Sequence, residues 1–243
     1  MKDLQVGDKI LTASNTYQPI YSFGHYDPEK MAQFFQIHTQ DSVIELTGEH
    51  LVFRKNHDHP VRADSLREGD SLLGQGGLVQ EVRAIKKIQR QGLYTPFTPD
   101  GTVVVDGIVA SSYVSLQDGN DFLRMKSGLV LPLSMHDYIH MGMSPLRMFC
   151  MGVSSRYCTT LNEEGIPPYA ALSIDMSHWT SRQNVVIQTL LLAIFLLVYI
   201  PLIAVEFIFG PTMAPLAVFV LSAVYGWRRR HRLATSTKKN KLL

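Results

Sequence analysis

With 243 residues, two cysteines and a formal net charge of +2, the chain is long enough for one large domain or for a domain of about 100–150 residues with appendages, and too poor in cysteine for a disulfide scaffold. Seven of the 23 Lys and Arg crowd into the acid-free tail Arg228–Leu243, which leaves 16 bases against 21 acids over residues 1–227. A nucleic-acid surface needs bases spread over a folded face with aromatics among them, so this distribution argues against nucleic acid as a partner.

Met1-Lys2-Asp3-Leu4 runs almost at once into the apolar Val6–Leu11, so no secretory leader precedes the first strand, and the expectation is a protein whose beginning lies further upstream. Apolar runs then alternate with Gly-Asp, Asp-Pro, Gln-Asp and Gly-Gly turns. The pattern predicts strands over Lys9–Thr12, Ile20–His25, Ala32–Thr39, Ser42–Leu46, Leu51–Arg54, Ser71–Leu73, Val79–Gln89 and Gly101–Ala110. Frequent short strands mean a mainly β domain, placed over residues 1–115. An internal repeat at an offset of 62 residues matches Leu4, Gly7, Asp8, Ile10, Leu11, Gln18 and Ile20 to Leu66, Gly69, Asp70, Leu72, Leu73, Gln80 and Val82. The shared unit reads as one turn plus one strand used twice, with glycine supplying a backbone angle that other residues resist, and it predicts a pseudo-two-fold β-fold.

Between two predicted strands lies Thr47-Gly48-Glu49-His50. A hydroxyl and an imidazole three residues apart at a strand end can converge on one carbonyl or amide, which makes the pair a candidate acyl-transfer site. Threonine and histidine also bound ordinary β-turns, and spacing alone leaves both readings open.

The domain closes on Gly92-Leu-Tyr-Thr-Pro96 and Gly101-Thr-Val-Val-Val-Asp-Gly-Ile-Val-Ala-Ser-Ser-Tyr113. Together with Val6-Gly-Asp-Lys-Ile-Leu11 and Leu46-Thr-Gly-Glu-His-Leu51, these segments resemble the Hint domain of hedgehog proteins and inteins, and within it the hedgehog-type branch. The resemblance covers nearly half the chain and implies a horseshoe-like, pseudo-two-fold β-fold. It implies self-cleavage: a cysteine at the start of the domain attacks the preceding peptide bond, and water, a sterol hydroxyl or another nucleophile resolves the thioester. By resemblance Thr47 polarises the scissile carbonyl and His50 protonates the leaving nitrogen, since an amine cannot depart as an anion. Three positions depart from the pattern. No cysteine precedes Cys150, and the Gly-Asp unit places Met1 about 20 residues past the family's nucleophile. His25 stands where hedgehog proteins carry the Asp that serves as base toward the sterol; a neutral imidazole can act as a base near pH 7, but a sterol acceptor is not supported. Ser112 stands where the family's late cysteine does, leaving a hydroxyl for a thiol.

Residues 116–184 read as a helical connector. His136-Asp137-x-x-His140 mimics a zinc-protease helix, but Asp is one methylene shorter than the Glu of that motif and no third ligand is evident. The reading is therefore an amphipathic docking helix with polar histidine edges, with Met135, Met141, Met143 and Met148 as packing residues, and neither metal nor cofactor is expected. Cys150 and Cys158 lack CxxC spacing and are free to bridge each other in an oxidising compartment. From Val185 to Phe209 run 25 residues in which Gln188 and Glu206 are the only strongly polar members, enough to cross a bilayer of about 30 Å. Gly210-Pro211 offers a turn before the second apolar stretch, Met213–Trp227, so residues 185–227 hold one span plus a second span or a re-entrant piece. Trp179 and Trp227 suit the two interfaces, and Arg228-Arg-Arg-His-Arg232 opens a basic tail, 228–243, expected in the cytosol.

The sequence thus predicts a Hint domain lacking its first strand and nucleophile, tethered to a secretory-pathway or plasma membrane. Its partners would be the bilayer and its own upstream segment as substrate. The resemblance implies autocatalytic peptide cleavage in the full-length family, and the missing cysteine implies that this chain does not perform it. The alternative is a degenerate Hint fold kept as a membrane-anchored interaction module.

Overall fold

The computed structural model describes residues 1–117, 119, 121–153 and 156–239, with the side chains of 156 and 226–239 excluded. The side chains of Trp227 and Arg228–Arg232, and residues 240–243 of the basic tail, therefore lie outside what is described. Twelve strands and four α-helices follow one another among the described residues: β1 (Lys9–Leu11), β2 (Tyr17–Pro19), β3 (Ser22–Thr39), β4 (Val43–Thr47), β5 (His50–Phe53), β6 (Pro60–Arg62), β7 (Ser71–Leu73), β8 (Val79–Phe97), β9 (Thr102–Val105), β10 (Ile108–Val114), β11 (Phe122–Arg124), β12 (Val130–Ser134), α1 (Met135–Gly142), α2 (Ser144–Gly152), α3 (Pro168–Arg182) and α4 (Val185–Lys239). Two four-stranded sheets, β4-β3-β8-β7 and β6-β5-β10-β9, carry the β part, with β1-β2 and β11-β12 as hairpins.

The repeat at offset 62 is realised bond for bond. Gly7 and Gly69 both take positive φ (100° and 90°), the region glycine enters without steric penalty. Their N–H groups donate to Ile20 O and Val82 O at 2.8 Å, and Ile20 N and Val82 N donate back to Asp8 O and Asp70 O at 2.8 Å. Asp8 and Asp70 close their turns identically, each accepting a backbone N–H from three residues earlier, Gln5 and Arg67, at 2.8 Å. The hairpin register Lys9↔Pro19, Ile10↔Gln18, Leu11↔Tyr17 recurs as Ser71↔Glu81, Leu72↔Gln80, Leu73↔Val79.

Two sequence expectations require correction. The separate strands Ile20–His25 and Ala32–Thr39 are one strand, β3, and Val79–Gln89 continues to Phe97 as β8. The two long strands pair antiparallel from Ser22↔Phe97 to Thr39↔Val82. The Asp27-Pro28 turn is instead a register shift within that ribbon, where Asp27 Oδ1 accepts the N–H groups of Glu29 and Lys30. Local turn chemistry yields here to a partner strand of matching length. Conversely, Gly101–Ala110 is two strands: Asp106 (φ 48°) and Gly107 (φ 80°) make the Asp-Gly hairpin that joins β9 to β10.

Ile37, Ile44, Val52, Leu72, Val82 and Ile108 form the core between the sheets, each worth about 1.5–3 kcal/mol when buried. A second cluster joins Tyr21, Phe97 and Tyr113 of the β part to Met143, Leu146, Cys150, Cys158 and Ala170 of the connector. Cys150 and Cys158 are disulfide-bonded. Met135, Met143 and Met148 are buried and Met141 is half-buried. Pro145 sits in the first turn of α2, where its missing N–H costs nothing.

The helix α4 is long and apolar enough over Val185–Tyr225, 41 residues, to cross a membrane by length and composition. Gly210 (φ 72°, ψ 160°) interrupts it. A seam of partly covered residues along it faces the connector, and polar side chains fasten it, among them Tyr199, whose hydroxyl lies 3.3 Å from that of Tyr169, and two more deeply buried groups. Gln188 accepts from Lys126 N and donates to Thr180 O and Ser181 O. Glu206 receives Arg147 in a bidentate pair, Nε–Oε1 2.5 Å and Nη2–Oε2 2.8 Å, together with Ser144 Oγ at 2.5 Å.

Candidate functional site

Thr47 ends β4 in one sheet and His50 begins β5 in the other, so the chain changes sheets across Gly48-Glu49. The crossing is anchored at both peptide units: Gly48 O accepts from Asp64 N at 3.0 Å and Glu49 O from Ser115 N at 2.8 Å. Both side chains are half-buried and line one cavity of about 270 Å³, whose wall also includes His25, Ser111, Ser112 and Met1. All four sequence-predicted residues, Thr47, His50, His25 and Ser112, therefore open on a common space.

The imidazole of His50 is fixed by a single bond, Nε2–H to Ser111 O at 2.8 Å. A carbonyl can only accept, so Nε2 carries the proton and Nδ1 carries the lone pair of the neutral ring. Burial lowers the pKa of His50, opposed by the Ser111 carbonyl and then by Glu49. His25 lies within β3 at a register shift between Phe23 and His25. Its Nε2 is buried with no hydrogen-bond partner among the described residues, and burial lowers its pKa against the pull of Asp27. Ser112 is fully buried; its N–H donates to Gly101 O at 2.7 Å and its hydroxyl stands 3.5 Å from Thr98 Oγ1.

The residue that presents the carbonyl to His50 was not visible in the sequence motifs. The ladder between β10 and β5 pairs Ala110 with Val52 and Val114 with His50, so Ser111, Ser112 and Tyr113 stand opposite Leu51 alone. This bulge frees Ser111 O from the ladder, and the Tyr113 N–H is satisfied by Ser111 Oγ at 2.9 Å. The Ser111 hydroxyl in turn meets His136 Nδ1 at 2.9 Å.

The two connector histidines are thus not the polar edge expected of α1. His136 is buried and His140 half-buried, their rings stacked at 5.8 Å and 4°. Hydroxyl partners make this burial tolerable: Ser111 Oγ for His136 and Tyr113 Oη, at 3.0 Å, for His140. Burial lowers the pKa of both. With each Nδ1 engaged, no cluster of three or more metal-ligating side chains exists among the described residues. A doubled Ser-Ser-Tyr in β10 and a lone Glu206 in an apolar run were the only sequence signals for this second layer.

Comparison with known proteins supplies the context. A family model described as the Hint module matches residues 1–182. The Sonic hedgehog protein of Danio rerio is 29% identical over 209 residues, covering 76% of this chain and 46% of that protein. Warthog protein 6 of Caenorhabditis elegans is 31% identical over 129 residues, 48% of this chain and 22% of the relative. The chain spans less than half the length of these curated relatives. Among solved structures, the gp41-1 intein shares 18% identity at a TM-score of 0.39, covering 45% of this chain and 83% of the intein.

Proposed function

The chain belongs to the Hint family, and from that premise we propose that it is the Hint module of a hedgehog-type self-cleaving precursor, tethered to a membrane by α4. One observation carries the reading: Thr47 and His50 share a cavity while the ring of His50 is committed through Nε2 to Ser111 O. That leaves Nδ1 to face substrate. When a thiol upstream in the precursor attacks the preceding carbonyl, a C–S bond forms and the C–N bond must break. The Nδ1 lone pair of His50 takes the thiol proton as the C–S bond forms, Thr47 Oγ1–H polarises the carbonyl oxygen, and the imidazolium so made returns that proton from Nδ1 to the departing nitrogen. The Ser111 carbonyl favours the imidazolium needed for that step. His25, whose Nε2 has no hydrogen-bond partner among the described residues, is the base that takes the proton from water or an alcohol resolving the thioester.

This chain's two cysteines are bonded to each other, so the thiol would come from the part of the precursor that precedes Met1. The full-length precursor, incubated with dithiothreitol or hydroxylamine, should release its N-terminal segment. The His50→Ala variant should cleave about 10²–10⁴-fold more slowly. Cleavage at an unchanged rate would remove His50 from the mechanism.

The disulfide also supports a second reading, a Hint fold retained as a membrane-anchored interaction module, because among the described residues no thiol is free. In that case Thr47 and His50 variants would keep full biological activity, while loss of α4 would abolish it. For location, a disulfide and a long apolar helix together favour a folded part on the lumenal or extracellular side and a cytosolic basic tail. Resistance to alkaline carbonate extraction, with protease protection of residues 1–182 in sealed microsomes, is the expected result.

A further inference from the structure

We infer that His136, on the connector helix α1, is a positioning residue for His50, acting through the Ser111 bulge. The importance of His50 for cleavage rests on the function proposed above; the geometric claim stands on its own.

Ser111 makes three hydrogen bonds that lock one backbone conformation. Its carbonyl accepts the His50 Nε2–H, its hydroxyl accepts the Tyr113 N–H, and the same hydroxyl bonds His136 Nδ1. The first orients the imidazole that faces the cavity; the other two hold the bulge that aims the carbonyl. On the β5 edge a bulge of three residues against one has no regular ladder bonds, so there side chains reinforce the pairing that β9 supplies on the other edge. With Oγ already accepting from Tyr113, its O–H is the natural donor to His136 Nδ1, which requires a neutral His136 with the proton on Nε2. Burial favours that neutral ring.

His136 is itself held rigidly. It occupies the first turn of α1, which is capped by Ser134 Oγ accepting from Asp137 N at 3.0 Å. Its ring packs against Phe53 and Tyr113 at 5.3 and 5.4 Å and stacks on His140. At Gly101, a Cβ would come within 2.6 Å of His140 Nδ1 and 2.9 Å of Tyr113 Cε2. No space exists there for the layer to relax into. The connector thus supplies a second layer behind the catalytic candidate, and α1 belongs to the site even though none of its atoms forms a hydrogen bond with His50.

The test reads His50 directly in this chain. Imidazole ¹⁵N spectra of wild type should show His50 as the Nε2–H tautomer with slow exchange of that proton. His136→Phe keeps an aromatic ring between Phe53 and Tyr113 but removes the bond; it should accelerate that exchange about tenfold or more and mix the tautomers. His136→Asn, which restores a hydrogen-bonding atom near the Nδ1 position, should recover most of the protection. Exchange within twofold of wild type in His136→Phe would overturn the inference. Should that variant not fold, the smaller His136→Leu also removes the Nδ1 partner while leaving the Ser111 bonds to His50 and to the Tyr113 N–H in place, and carries the same two outcomes. In the full-length precursor His136→Phe should cleave about a hundredfold more slowly, as expected when a catalytic group is misplaced by an ångström, and His136→Asn should restore most of the rate. A precursor whose wild type does not cleave would count against the proposed function alone, leaving the exchange measurement to decide the positioning role.

Discussion

The fastening of α4 to the folded part can be tested by a double-mutant cycle on Arg147 and Glu206. Both side chains are nearly inaccessible, 3% and 9% exposed, and the guanidinium meets the carboxylate through two nitrogens while Ser144 takes a further bond. Glu206→Leu leaves an unpaired guanidinium in an apolar seam, and Arg147→Met leaves an unpaired carboxylate there. Breaking a buried pair from one side costs about 3–5 kcal/mol, whereas replacing both members by apolar residues is often neutral. Each single variant should therefore lose about 3–5 kcal/mol of unfolding free energy in mild detergent, and the double variant should recover most of it. Denaturant unfolding followed by amide exchange within α2 measures the effect at the right place. Additive losses, or single variants within 1 kcal/mol of wild type, would refute the view that this pair docks the helix. Gly152 gives an independent check. A Cβ there would stand 2.6 Å from Thr212 O and 2.8 Å from Pro215, so Gly152→Ala should loosen the same contact just beyond the Gly210 break.

Three further outcomes follow from other parts of the molecule. Cutting the Cys150–Cys158 bridge with a Cys→Ser pair should cost about 2.5 kcal/mol, the loop-closure entropy of an eight-residue separation; a melting temperature insensitive to reductant would contradict this. His50, His136 and His140 all have folded pKa values lowered from 6.5. Below pH 6.5 the unfolded chain takes up protons that the folded chain refuses. Stability is then full above that pH and declines as pH falls toward the folded values, by up to about 1.4 kcal/mol per pH unit for each ring. A melting temperature flat between pH 7.5 and 5.5 would exclude this. Gly101→Ala adds a Cβ at φ 72° against His140 and Tyr113 and should destabilise by about 2–4 kcal/mol in urea unfolding.

The placing of Thr47 and His50 between two strands and the duplicated turn were readable because each is local. Asp8 and Asp70 close their own turns three residues away, and Thr47 and His50 are bounded by strands of clear apolar pattern. What could not be read depends on distant partners. Asp27-Pro28 looks like a turn until β8 supplies a ladder on both sides of it. His136 looks like a helix edge until Ser111, 25 residues away, turns out to need an acceptor. The bulge at Ser111–Tyr113 has no signature in composition, since it arises from a register mismatch between strands 60 residues apart, as with Ser111 and His50 at a separation of 61. The disulfide was legible only as a possibility, because spacing allows a bridge without requiring one.

The long ribbon of β3 and β8 also governs when the site comes into being. Its pairs join residues as far apart as Ser22 and Phe97, and even the tight end joins Thr39 to Val82. During synthesis at about 5–20 residues per second, Thr39 emerges roughly 2–9 s before its partner. Through that interval β3 is paired with β4 along Phe34–His38 only and the edge that β8 will cover is bare, the state most open to wrong pairing. The Thr47–His50 crossing exists early, but the carbonyl that orients His50 arrives only with β10 and the ring behind it only with α1. Assembly order thus acts as a timer that holds the cavity unfinished until the connector has been made.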